Sequence, residues 1–175
     1  MLAATATAPA RGFWRVARGP DSLALPRPSD FTHEAGTLGN RFDSPLGDYS
    51  VLYFSSTLEG CFMETLARFR PVPGLKDIVE DEWREMGFME VGGVPADWRH
   101  SRLAVRASPD PSLPFLDVED PNTIEVLRDD LAPTLALHGY TDLDISVIRG
   151  NDRRVSRAIS HWAYVAFAEA ITIRT

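Results

Sequence analysis

Cysteine is almost missing from this chain: Cys61 is the single one among 175 residues. One thiol cannot close an intramolecular disulfide or build a cysteine-based zinc cluster, and such scarcity fits a reducing compartment. Positive charge is also short, with 18 Lys and Arg against 25 Asp and Glu and a formal net charge of −7. That balance argues against direct nucleic-acid binding, which needs a basic footprint; a few local arginines can still hold a small anion. No apolar run approaches the roughly 18 residues that cross a bilayer, so no membrane span is expected. Met1 to Ala10 is small and apolar but has no basic segment ahead of it, so residues 1–10 read as a flexible tail rather than a signal peptide. His33, His100, His138 and His161 show no metal-ligand spacing, and no metal site is expected. Gly-x-Ser-x-Gly, Walker and Gly-x-Gly-x-x-Gly signatures are missing too. With a single cysteine, cytoplasmic residence is the expected setting.

What is present suits one α+β domain over residues 11–175, with interleaved strands and helices. Phe13 to Arg18 alternates apolar and basic residues and reads as a strand. Closely spaced Gly and Pro make residues 19–50 a long loop, a length that marks function or disorder. Val51 to Phe54 reads as a short strand. Ser56-Thr57-Leu58-Glu59 matches a capping box, and the helix behind it runs to Phe69 before Pro71. Leu103–Ala107 and Phe115–Val118 suggest two further strands. Asp120-Pro121 opens a helix that Gly139 closes. Asp144–Ile148 reads as a strand, residues 150–167 as the last helix, and Ile171–Arg174 as a final strand.

Chemistry concentrates in residues 39–69. Arg41 sits in the Gly39-Asn40-Arg41-Phe42-Asp43-Ser44-Pro45 loop, where a guanidinium can grip a phosphate or carboxylate; the competing reading is a paired surface arginine. Tyr53 follows in the short strand, where a tyrosine usually serves the core. Glu64 falls among Cys61, Phe62, Leu66 and Phe69, and a carboxylate there is costly unless paired or functional; the flank of an amphipathic helix is the plainer alternative. Cys61, among apolar neighbours, reads as a buried inert thiol. Arg149, Arg153, Arg154 and Arg157 form a basic cluster that could take phosphate or merely offset nearby acid.

Phe13-Trp14-Arg15-Val16, the Gly39 to Pro45 loop, Val51-Leu52-Tyr53 and Cys61-Phe62-Met63-Glu64-Thr65-Leu66 resemble, in order and spacing, the RES domain. Members typically carry a Trp-Arg strand, a Gly-Gly-Arg-Trp-Asn-Ser-Pro loop, a Val-Val-Tyr strand and a Leu-Leu-Glu-Val-Leu helix; Phe42 and Asp43 depart from the Trp and Asn. Gly150-Asn151-Asp152-Arg153 is similar to the family's Gly-x-Asp-Arg helix start. The resemblance implies an ADP-ribosyltransferase-like split β-sheet core flanked by helices. It also implies a bacterial toxin enzyme beside an Xre-like antitoxin, consuming NAD as substrate rather than cofactor by glycohydrolysis or phosphorolysis. Alternatives within the family are ADP-ribosyl transfer to a protein target, and a degenerate domain that binds NAD or an antitoxin without turnover. Arg41, Tyr53 and Glu64 fall on the family's arginine, tyrosine and glutamate. Its serine, in a C-terminal Tyr-x-Ser strand, has Thr175 in its place, either as a substitute or because the chain stops before it. A homodimer is left open.

These residue types suit nicotinamide–ribose cleavage on physical grounds too. The reaction passes through an oxocarbenium-like state that a carboxylate such as Glu64 stabilises. Arg41, with Arg15 as a second candidate, would hold the pyrophosphate, and Tyr53 would stack on or hydrogen-bond the nicotinamide end.

Overall fold

A computed structural model describes residues 5–6, 11–26, 40–74, 78, 85–86, 91–110 and 115–172, with side chains of the last helix described to residue 167. The architecture is mixed α+β, with two small antiparallel sheets and several helices. The chain divides into two compact units. One comprises residues 1–8, 25–52 and 110–175, the other residues 9–24 and 53–109.

The larger unit is mostly helical. Strand β1 (Thr5–Ala6) pairs with β4 (Phe115–Leu116). Asp120 caps α3 (Pro121–Asp130), its carboxylate accepting from the Asn122 and Thr123 amides, with Pro121 at the first turn. The expected single helix to His138 is broken after Asp130, and α4 (Ala132–Leu137) resumes it. Pro133 explains the break, because it has no amide to donate back to residue 129. Gly139 ends α4 with φ +81°, a left-handed conformation that suits glycine. Asp144–Ile148, expected as a strand, is instead the cap and body of helix α5 (Ile145–Arg149). The Asp144 carboxylate accepts from the Val147 amide at 2.9 Å and from Ser146 Oγ at 2.6 Å, which outweighs the β-branched character of Ile145, Val147 and Ile148. The last helix, α6 (Arg153–Thr172), takes in Ile171 and Thr172, the first two residues expected as a final strand; residues 173–175 lie outside the described residues. Leu127, Leu143, Val155 and Ile159 are essentially fully buried and form the core with Ile124, Leu131, Leu135 and Ile148.

The second unit is built on a hairpin-like pair. Strand β2 (Phe13–Arg18) runs antiparallel to β3 (Arg102–Ala107), with Trp14 opposite Arg106 and Arg18 opposite Arg102. Helix α1 (Leu58–Thr65) starts one residue later than the capping box implied: Thr57 is the cap, its hydroxyl accepting from the Gly60 amide at 3.0 Å. A 3-10 turn at Ala67–Phe69 extends it, and α2 (Ala96–His100) precedes β3. Val51–Phe54 forms no strand. Only Ser55 bridges to Trp14, by two 2.8 Å hydrogen bonds, after which Thr57 turns the backbone into α1. Val16, Cys61 and Trp98 make this unit's core, packed by Trp14, Phe62, Leu66 and Phe69.

Candidate active site

The Asn40–Ser50 loop is folded onto itself and onto α6 within the larger unit. Ser44 Oγ accepts from the amides of Leu46, Gly47 and Asp48 at 3.2, 2.8 and 3.2 Å and donates to the Asp48 carboxylate. Serine favours such turns because its hydroxyl satisfies nearby amides. Three consecutive carbonyls of the loop are then gripped from α6. Arg157 Nε donates to Asn40 at 3.4 Å, Ser156 Oγ to Arg41 at 2.6 Å and Ser160 Oγ to Phe42 at 2.7 Å. Tyr49 Oη donates to Ser160 Oγ at 2.8 Å, and its ring stacks on Tyr164.

Arg41 is half-buried, and its Nη1 donates to the carbonyls of Ile148 at 2.8 Å and Gly150 at 2.9 Å. A guanidinium here caps the C-terminal end of α5, where carbonyls lack helical partners and the helix dipole favours a cation. One of its nitrogens is therefore committed to the fold. Nη2 and Nε make no further hydrogen bond among the described residues.

Arg15, Tyr53 and Glu64 belong to the second unit. Arg15 projects from β2 beside the Phe54 ring, 5.9 Å from its centroid, and Nη1 reaches the Tyr53 carbonyl at 3.4 Å. Its Nε is buried without a hydrogen-bond partner, and burial pushes the guanidinium below its ordinary pKa. A buried donor left unmade is costly. Tyr53 is half-buried outside any strand. Glu64 stands exposed near the end of α1, while Cys61 on the same helix is buried. Its carboxylate makes no hydrogen bond or ion pair among the described residues, and none joins it to Arg15 or Tyr53. Thr175 lies outside the described residues.

The remaining candidates take structural parts. Cys61 is 5% exposed and its Sγ donates to the Trp14 carbonyl at 2.9 Å, as an inert buried thiol would. Of the basic cluster, Arg149 makes a bidentate pair with Glu119 at 2.8 and 2.7 Å, Arg154 clasps Asp152, and Arg157 serves the loop. No group of three or more His, Cys, Asp and Glu side chains among the described residues is placed to hold a metal ion. Nor is any described helix long and apolar enough to cross a membrane. Ser156 and Ser160 escaped the sequence reading. Their signal was two hydroxyls four residues apart, interleaved with the buried Val155 and Ile159 of one helix.

A family model, RES domain, matches residues 13–171. The chain belongs to the RES domain family. The match takes in Arg15, Arg41, Tyr53 and Glu64, and the mixed α+β architecture agrees with the ADP-ribosyltransferase-like fold that the RES domain fits. Membership is consistent with an NAD-acting domain of toxin type. No curated protein and no solved structure matches the chain.

Proposed function

We propose that this RES domain is an enzyme that consumes NAD by breaking the nicotinamide–ribose bond. Glu64 carries the reading: a carboxylate within the family match, exposed and without a hydrogen-bond or ion-pair partner among the described residues. Exposure leaves the Glu64 carboxylate accessible to a ligand, and its place in the family match is the reason to assign it this role.

In the proposed step the C1′–N bond breaks, its electron pair leaves with nicotinamide, and positive charge develops on the ribose. Glu64 stabilises that charge or holds a ribose hydroxyl, an interaction strongest in the transition state. From the family resemblance, Arg15 and Arg41 are each assigned to anion binding, the chemistry a guanidinium offers a phosphate group. Tyr53 orients the nicotinamide end, and Thr175 is the candidate substitute for the family's serine at the substrate. Water or phosphate then adds to C1′ and releases a proton.

The proposed setting is a bacterial cytoplasm, with an Xre-like antitoxin as partner. Expression of the chain alone is expected to arrest growth and deplete cellular NAD, with Glu64→Gln relieving both. Arrest that persists undiminished with Glu64→Gln would refute the catalytic role. In vitro, a requirement for phosphate would make the enzyme a phosphorylase, turnover in its absence a glycohydrolase, and label transferred to protein an ADP-ribosyltransferase.

A further inference from the structure

Cross-strand partners in a sheet usually attract or are neutral, because like charges directly opposite destabilise the pair. The β2–β3 pair breaks this rule: Arg18 lies opposite Arg102. A third guanidinium joins them from the 3-10 turn after α1. Arg68 sits over the Phe69 ring at 4.8 Å, Phe69 meets Trp98 edge-on at 5.8 Å, and Arg102 sits over Trp98 at 5.6 Å. Two of the three guanidiniums thus ride on one edge-to-face aromatic pair, which holds their planes while leaving their N–H edges available. None of the three side chains makes a hydrogen bond or ion pair among the described residues. Burial first, then the charges of Arg18 and Arg68, push the Arg102 guanidinium below its ordinary pKa, with Asp97 opposing weakly.

A chain of net charge −7 has no general need for an unpaired triple-arginine face, and the repulsion costs stability unless a counter-charge arrives. We propose that Arg18, Arg68 and Arg102 form a binding site for a phosphate-bearing ligand, a phosphate monoester dianion. One carboxylate would offset only one of three charges and offers two oxygens. A phosphate dianion offsets two and presents three oxygens to three fork-shaped donors. The site is separate from Arg15, Arg41 and Glu64 in its residues and does not depend on the NAD reading.

The test is thermal unfolding and calorimetric titration of the full chain with inorganic phosphate and with phenyl phosphate, at constant ionic strength set by sodium chloride. Wild type should gain Tm saturably with both. Arg18→Gln and Arg102→Gln should be at least as stable as wild type without phosphate, since they relieve repulsion, and should lose at least five-fold in phosphate affinity. Stability thus reverses order between the two buffers, which a purely structural role for these arginines would not produce. No saturable gain in wild type, an equal gain in both arginine variants, or variants already less stable without phosphate would each overturn the proposal.

Discussion

Replacing Arg41 by alanine should unfold the larger unit more readily, whatever it does to catalysis. Arg41 Nη1 donates to two carbonyls at the end of α5, those of Ile148 at 2.8 Å and Gly150 at 2.9 Å. A hydrogen bond from a charged donor contributes about 1.5–3 kcal/mol net. Arg41 is only half-buried and water can reach part of the vacated space, so the two together should amount to about 3 kcal/mol rather than the full sum. For a chain of this size each kcal/mol moves Tm by about 2–4 °C, giving a fall of about 6–12 °C. Arg41→Lys, a point charge without the fork, should recover less than half of it. The assay is thermal unfolding by circular dichroism, with activity then measured per folded molecule well below the new Tm. An Arg41→Ala protein melting within about 2 °C of wild type would refute the capping account.

Other expectations follow from the same contacts. Leu127→Ala, at a fully buried core position, should cost about 2–5 kcal/mol by denaturant titration. Ser156→Ala removes the fully buried hydroxyl that donates to the half-buried Arg41 carbonyl at 2.6 Å and should cost about 1–3 kcal/mol. Gly139→Ala meets no neighbouring atom but must adopt φ +81°, costing about 1–2 kcal/mol through backbone conformation alone. Asp152 is held well below the usual carboxylate range, chiefly by Arg154 and further by Tyr140. A depressed folded pKa contributes stability that is full above the unfolded carboxylate value and is lost as pH falls through the folded one. Melting temperature should therefore drop below about pH 4, and Asp152→Asn should flatten that acid limb.

The parts of the fold legible in the sequence were those fixed by local chemistry. Phe13–Arg18, the Asp120 cap with Pro121, the Gly139 stop and the buried Cys61 each follow from residues next to one another. The errors came where two local signals competed. Ile145, Val147 and Ile148 suit a strand, but the Asp144 carboxylate commits the segment to a helix. Val51–Phe54 has strand composition but finds only a single bridge at Ser55. Pro133, inside the segment expected as one helix up to Gly139, divides it in two. Contacts between distant residues left the faintest traces: nothing in residues 39–45 announces that Arg41 will cap α5, or that Ser156 and Ser160 will seize the loop's carbonyls across more than a hundred residues. Arg41 was legible as a special arginine. Its structural share of the work was not.

Free nicotinamide released from NAD by the purified protein, followed by NMR beside Glu64→Gln, tests the central claim most directly. Catalytic release by wild type, reduced by at least about a hundred-fold in a Glu64→Gln protein of unchanged Tm, is the predicted result, as for loss of one electrostatic transition-state contact. Equal release by both proteins, or none from a folded wild type supplied with phosphate, would contradict it.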